Sequence, residues 1–134
     1  MNRRVAGDRG SITGFVAVIA IALVMVAGMA YDGGRIISTQ GQARSDAAKA
    51  ARAGAQEVDV GILRSTGETV LDAAAAEAAA HDYLEAVGTT GTVTVNGAEI
   101  TVTVTVNLPM HILPGSDRTI VATQTATAVE GVTP

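Results

Sequence analysis

Twenty consecutive residues, Ile12 to Tyr31 (ITGFVAVIAIALVMVAGMAY), carry no charge, and this run constrains everything else the chain can be. As an α-helix it would extend about 30 Å, the hydrocarbon thickness of a bilayer. A buried core helix would need a domain large enough to wrap it. The chain has 134 residues, and its only aromatics are Phe15, Tyr31 and Tyr83. About a hundred remaining residues with small side chains cannot surround a twenty-residue apolar rod. The run therefore reads as a transmembrane helix over residues 12–31.

Charge gives it a direction. Residues 1–11 carry Arg3, Arg4 and Arg9 against Asp8, a net of +2, whereas the chain from Asp32 onward has a net of −6. By the positive-inside rule, residues 1–11 form a cytoplasmic segment and residues 32–134 an extracytoplasmic domain, in a single-pass protein of the cytoplasmic membrane. Tyr31 stands where an interfacial aromatic belongs. The order Tyr31, Asp32, Gly33, Gly34, Arg35 then reads as a membrane exit: a belt residue, the first charge, and two residues without side chains that allow a hinge or a close helix approach. Small residues within the run, among them Gly14, Ala17 and Gly28, offer the same approach to a neighbouring helix. An alternative reading makes the run a signal peptide cut after Ala30, at Gly28-Met29-Ala30, releasing a secreted adhesion or binding module. The run is long for that role.

Beyond the membrane the pattern stays helical. Ile36, Gln40, Ala43, Ala47, Ala50, Gly54 and Val58 recur at three- and four-residue steps, and no proline precedes Pro109. One long helix from the membrane to about Glu57 follows, with a face of small residues. Asp46 and Lys49 are spaced for an i,i+3 ion pair. Residues 59–71 read as a connector broken by Gly61 and Ser65-Thr66-Gly67. A second helix over Ala73–Val87 is capped by Asp72 and stopped by Gly88, with Ala76, Ala80, Tyr83 and Val87 as its apolar stripe.

After Gly88 the period becomes two. TVTVNGAEITVTVTVNL predicts a hairpin about Asn96-Gly97, pairing Val95 with Ala98 and Val93 with Ile100. Valines then share one face with Ile100, and threonines 92, 94, 101, 103 and 105 take the other. A third strand, roughly Thr119 to Val129, puts Ile120, Ala122, Ala126 and Ala128 on the inner face. The fold class is α+β: a long N-terminal transmembrane and extracytoplasmic helix, a second helix, and a small three-stranded antiparallel sheet. Cysteine is absent, so the domain must hold by packing alone.

Chemistry is sparse. His81 and Asp82 are adjacent on a helix and point to different faces, and His111 lies in a proline-flanked loop with no third group spaced to join them. There is no metal-ligand spacing, phosphate loop, dinucleotide fingerprint or serine elbow. Neither an enzyme nor a cofactor protein is indicated, no small-molecule substrate is implied, and the acidic domain argues against nucleic acid. Met110, Ile112 and Leu113 form an apolar loop that would plug the core or contact another subunit.

The segment RGSITGFVAVIAIALVMVAGMAYDGGR, followed by QARSDAAKAARAGAQ, resembles the TadE/TadG-like proteins of Tad (Flp) pilus assembly in their actinobacterial form. The shared marks are Arg9-Gly10-Ser11, Asp32-Gly33-Gly34-Arg35 and Ala50-Ala51-Arg52-Ala53-Gly54-Ala55. The resemblance implies a pilin-like plan and a membrane-anchored minor pilin or pseudopilin of a type IV-related pilus or secretion apparatus, with other pilus-assembly subunits as helix-packing partners. It also implies Gly10-Ser11 as a prepilin-type processing point. Related pseudopilins have a glutamate at the fifth position beyond the cut; this chain has Phe15.

Overall fold

The computed structural model describes residues 9–110 and 117–128; the notional contacts Ile112 and Leu113, and His111, lie outside the described residues. Six elements follow in order: α1 (Arg9–Gly54), α2 (Val60–Thr66), α3 (Ala73–Ala86), β1 (Gly91–Asn96), β2 (Glu99–Leu108) and β3 (Arg118–Thr127). They form the long helix, second helix and three-stranded antiparallel sheet expected of an α+β chain.

α1 is continuous for 46 residues, through the apolar run, Gly33-Gly34 and the alanine-rich segment. Its outer part forms one wall of the core. Ala43, Ala47, Ala50 and Ala51 are buried there, against Ala76, Ala80 and Leu84 of α3 and Ile100, Val102 and Val104 of β2. Alanine on both helices lets their backbones come close, so a core with few large side chains still packs densely. Gly54 is the limit of this pattern: a β-carbon there would strike the Ile100 side chain and lie 2.7 Å from the Ala76 carbonyl oxygen.

The sheet has the order β1-β2-β3. Burial alternates along β2, with Ile100, Val102 and Val104 fully covered. Ile120, Ala122 and Ala128 continue the inner face. On the outer face, threonine hydroxyls bond across the strands, Thr101 to Thr125 and Thr103 to Thr123, each at 3.0 Å. This is the expected division between valine and threonine faces.

On α3 the buried stripe ends in Leu84, with Val87 exposed, and three further local expectations change. The hairpin turn is Gly97-Ala98, with Asn96 opposite Glu99, Val95 opposite Ile100 and Val93 opposite Val102. A turn on Asn96-Gly97 of the favoured type would need positive φ at both residues. Here Gly97 alone has it, at 62°, which is the pattern of a type II′ turn with glycine first. Moving the pairing by two residues keeps every side chain on its expected face. Second, the connector 59–71 contains α2. Asp59 caps it by accepting from Gly61 N at 2.8 Å and Ile62 N at 3.0 Å, and Gly67 closes it with an N–H to Leu63 O. A β-bridge between Val58 and Leu71 draws the two ends together. Third, Asp46 does not pair with Lys49. It accepts from Gln42 Nε2 at 2.9 Å, one helical turn earlier, while Lys49 extends into solvent.

α3 begins and ends as its sequence requires. Asp72 accepts from Ala75 N at 3.1 Å. At the far end Gly88, with φ 70°, lets Thr89 N reach Leu84 O at 2.9 Å and Gly88 N reach Glu85 O at 2.9 Å. Those two bonds make a Schellman motif.

Candidate membrane-exit site

α1 and β2 run antiparallel and match in length. At one end Arg35 Nη1 donates to Pro109 O at 3.1 Å, and at the other Gly54 abuts Ile100. Helix residues 35–54 rise about 28 Å and strand residues 100–109 about 30 Å. The strands therefore lie along the helix axis, and the β2–β3 end of the sheet is the end nearest the apolar run.

That run projects beyond the domain. From Ile12 to Ala27 every residue is exposed, Phe15 at 66% and Val24 at 71%. Among the described residues this is the one helix long and apolar enough to cross a membrane. In water such a surface would be a severe liability; in hydrocarbon it carries no penalty. Gly14 and Ala17 sit in this exposed part, and a β-carbon on Gly14 would meet nothing.

Covering of the helix starts at Gly28, which is buried, and is complete at Asp32, which has no exposed surface. The step from Gly28 to Asp32 is one turn, and the step from Asp32 to Ala43 is three turns, so all three lie near one face. Asp32 thus turns toward the domain. Tyr31, 59% exposed, and Arg35, half-buried, lie to its side. Met110 is half-buried and packs against the core. Gly33 and Gly34 are helical, and a β-carbon on either would find no atom within 4 Å. Among the described residues no chain segment approaches them closely, and α1 does not break there. Gly10 and Ser11 lie in the first turns of α1.

The site thus assembles Gly28, Asp32, Arg35 and Pro109 at the seam between bare helix and packed domain. It does not bring Gly14 or Ala17 to the seam. The Arg35–Pro109 bond was invisible in the sequence because it joins residues 74 apart. The burial of Asp32 was not signalled either, since Gly28, one turn away, reads in the sequence as facing a neighbouring helix. His81 and Asp82 are both exposed on α3, and among the described residues no three His, Cys, Asp or Glu side chains gather as metal ligands.

Residues 10–57 match the family model described as "Putative Flp pilus-assembly TadE/G-like". No curated protein and no solved structure matches the chain. The matched stretch takes in the exposed apolar run, the seam and the alanine face. Over Gly10 to Glu57, about a third of its length, the chain is similar to the TadE/G-like proteins of Flp pilus assembly.

Proposed function

We propose that the chain is a membrane-anchored minor, pilin-like structural subunit of a Tad (Flp) type IV-related pilus or secretion apparatus. The family match supports a pilus-associated role. The observation that carries the anchor is the exposure of Ile12 to Ala27 in a helix whose continuation forms the domain core. The basic residues Arg3, Arg4 and Arg9 favour an N-terminus in the cytoplasm and a domain outside it. On this reading the site residues Tyr31 to Arg35 form the exit, and Gly14 and Ala17 in the bare helix meet other subunits.

Retention of the helix is favoured over release after Ala30. Gly28 belongs to the covered face, so a cut there would remove part of the domain's packed surface. Retention without prepilin-type cleavage is favoured by Phe15, which stands where the processing pattern of related pseudopilins has a glutamate.

Fractionation with a carbonate wash, combined with N-terminal sequencing of the mature protein, tests the proposal. Full-length chain in the washed membranes is the expected result. Soluble protein beginning at Tyr31 would overturn it, and a chain beginning at Ser11 would replace the uncleaved anchor with a processed pilin.

A further inference from the structure

A cleft on the flank of α1 holds a second buried acid. It is lined by Ser38, Thr39, Gln42 and Asp46 of α1 and by Thr89 and Val106 from the facing part of the domain. Asp46 is only 4% exposed, and its hydrogen bond is from the neutral Gln42 amide at 2.9 Å. Among the described residues no cation lies within ion-pair distance of it. A carboxylate so deeply set is ordinarily matched by a positive group, because a single neutral donor does not offset its lost hydration. Hydroxyls around the mouth suit the remaining N–H groups of a guanidinium.

The same helix carries an unmatched base on its other side. Arg44 is exposed and makes no ion pair among the described residues. Two residues before Asp46, it lies about 3 Å lower along the axis and roughly 200° around it. Copies anchored in one membrane stand at one height, so Arg44 of one copy is level with the cleft of the next. We propose that the cleft receives the Arg44 guanidinium of a second copy of this chain, completing an ion pair with Asp46. The inference rests on the membrane-anchored reading for the common height. Because donor and acceptor lie on opposite sides of one helix, the contact is head-to-tail and generates a row or ring rather than a closed pair.

The chain has no cysteine, so a cross-link can be placed cleanly. Ala48→Cys marks the turn after Arg44, and Thr89→Cys marks the cleft mouth. Full-length double-cysteine protein in membranes, oxidised briefly, should give a ladder of dimers and larger species. Arg44→Gln and Asp46→Asn should each reduce the cross-linked fraction about tenfold, the pair together no further, and Lys49→Gln should leave it unchanged. A ladder unaffected by Arg44→Gln overturns the proposal, as does loss with Asp46→Asn alone, which assigns the cleft to another base. Arg44 is exposed, so Arg44→Gln remains informative if Asp46→Asn unfolds. Carbonate-washed recovery of the same samples separates the two readings: loss from membranes refutes the anchor, whereas membrane-bound protein without a ladder refutes this contact only.

Discussion

Gly54→Ala should destabilise the domain although it replaces glycine by the best helix former. The usual gain for that change within a helix is about 1 kcal/mol, and less at the last residue of α1. Against it stands the new β-carbon, which would overlap the Ile100 side chain and sit 2.7 Å from the Ala76 carbonyl oxygen and 3.4 Å from its carbon. Ile100 can rotate away only by disturbing a core in which it is fully buried, and Ala76 is backbone of α3. Either α3 retreats by several tenths of an ångström or α1 tilts, and overpacking of this kind costs about 1–3 kcal/mol. The net expectation is a loss of about 1–2 kcal/mol. Gly41→Ala is the matched control. It lies on the same helix, a β-carbon there meets nothing within 4 Å, and it should stabilise by about 0.5–1 kcal/mol. Urea unfolding of the full-length proteins in detergent, read by pulse proteolysis of the domain, gives both values. Equal stabilisation by the two substitutions would refute the claim that α1 and α3 touch at backbone distance.

Further outcomes follow from the hairpin, the seam and the caps. Gly97→Ala should cost about 1–2 kcal/mol because φ is 62° there, while Asn96→Ala should change stability by less than about 0.5 kcal/mol; the same urea assay checks both. Gly33→Ala with Gly34→Ala should leave the domain folded and strengthen α1, since neither β-carbon meets an atom within 4 Å among the described residues. Co-purification of pilus-assembly subunits with that variant then shows whether another chain uses the space: unchanged recovery means the glycines are dispensable. Asp72→Ala should lose about 1 kcal/mol through the Ala75 N–H it leaves open, and faster hydrogen exchange in the first turn of α3 should report it.

The strands were legible because their code is redundant. Valine and threonine alternate so strictly that the faces came out right even with the turn misplaced by one residue, since a two-residue change in pairing preserves parity. The turn itself depends on whether Asn96 adopts positive φ, and the Asn-Gly pair alone does not decide that. α1 was legible from the absence of proline and the unbroken spacing of small residues. α2 was not, because seven residues are too few for periodicity, although its cap Asp59 and its stop Gly67 stood in plain view. One acid was misread. Asp46 was assigned to a neighbouring base by its charge, whereas its position on the helix places it beside the covered face. For Asp46, Gln42 at i−4 and Lys49 at i+3 compete for the same carboxylate, and spacing alone does not choose between them.

An unbroken α1 also makes the protein a lever. If the apolar run spans the bilayer as proposed, a rod that is also core wall cannot tilt there without carrying the domain with it. From Tyr31 to Gly54 the arm is about 34 Å, so a 10° tilt sweeps its far end sideways by about 6 Å. Displacement at the tip, where α2 and the β1–β2 turn lie, is in turn delivered to the buried part of the helix. Crowding among anchors within the membrane and crowding among tips outside it are therefore mechanically the same variable.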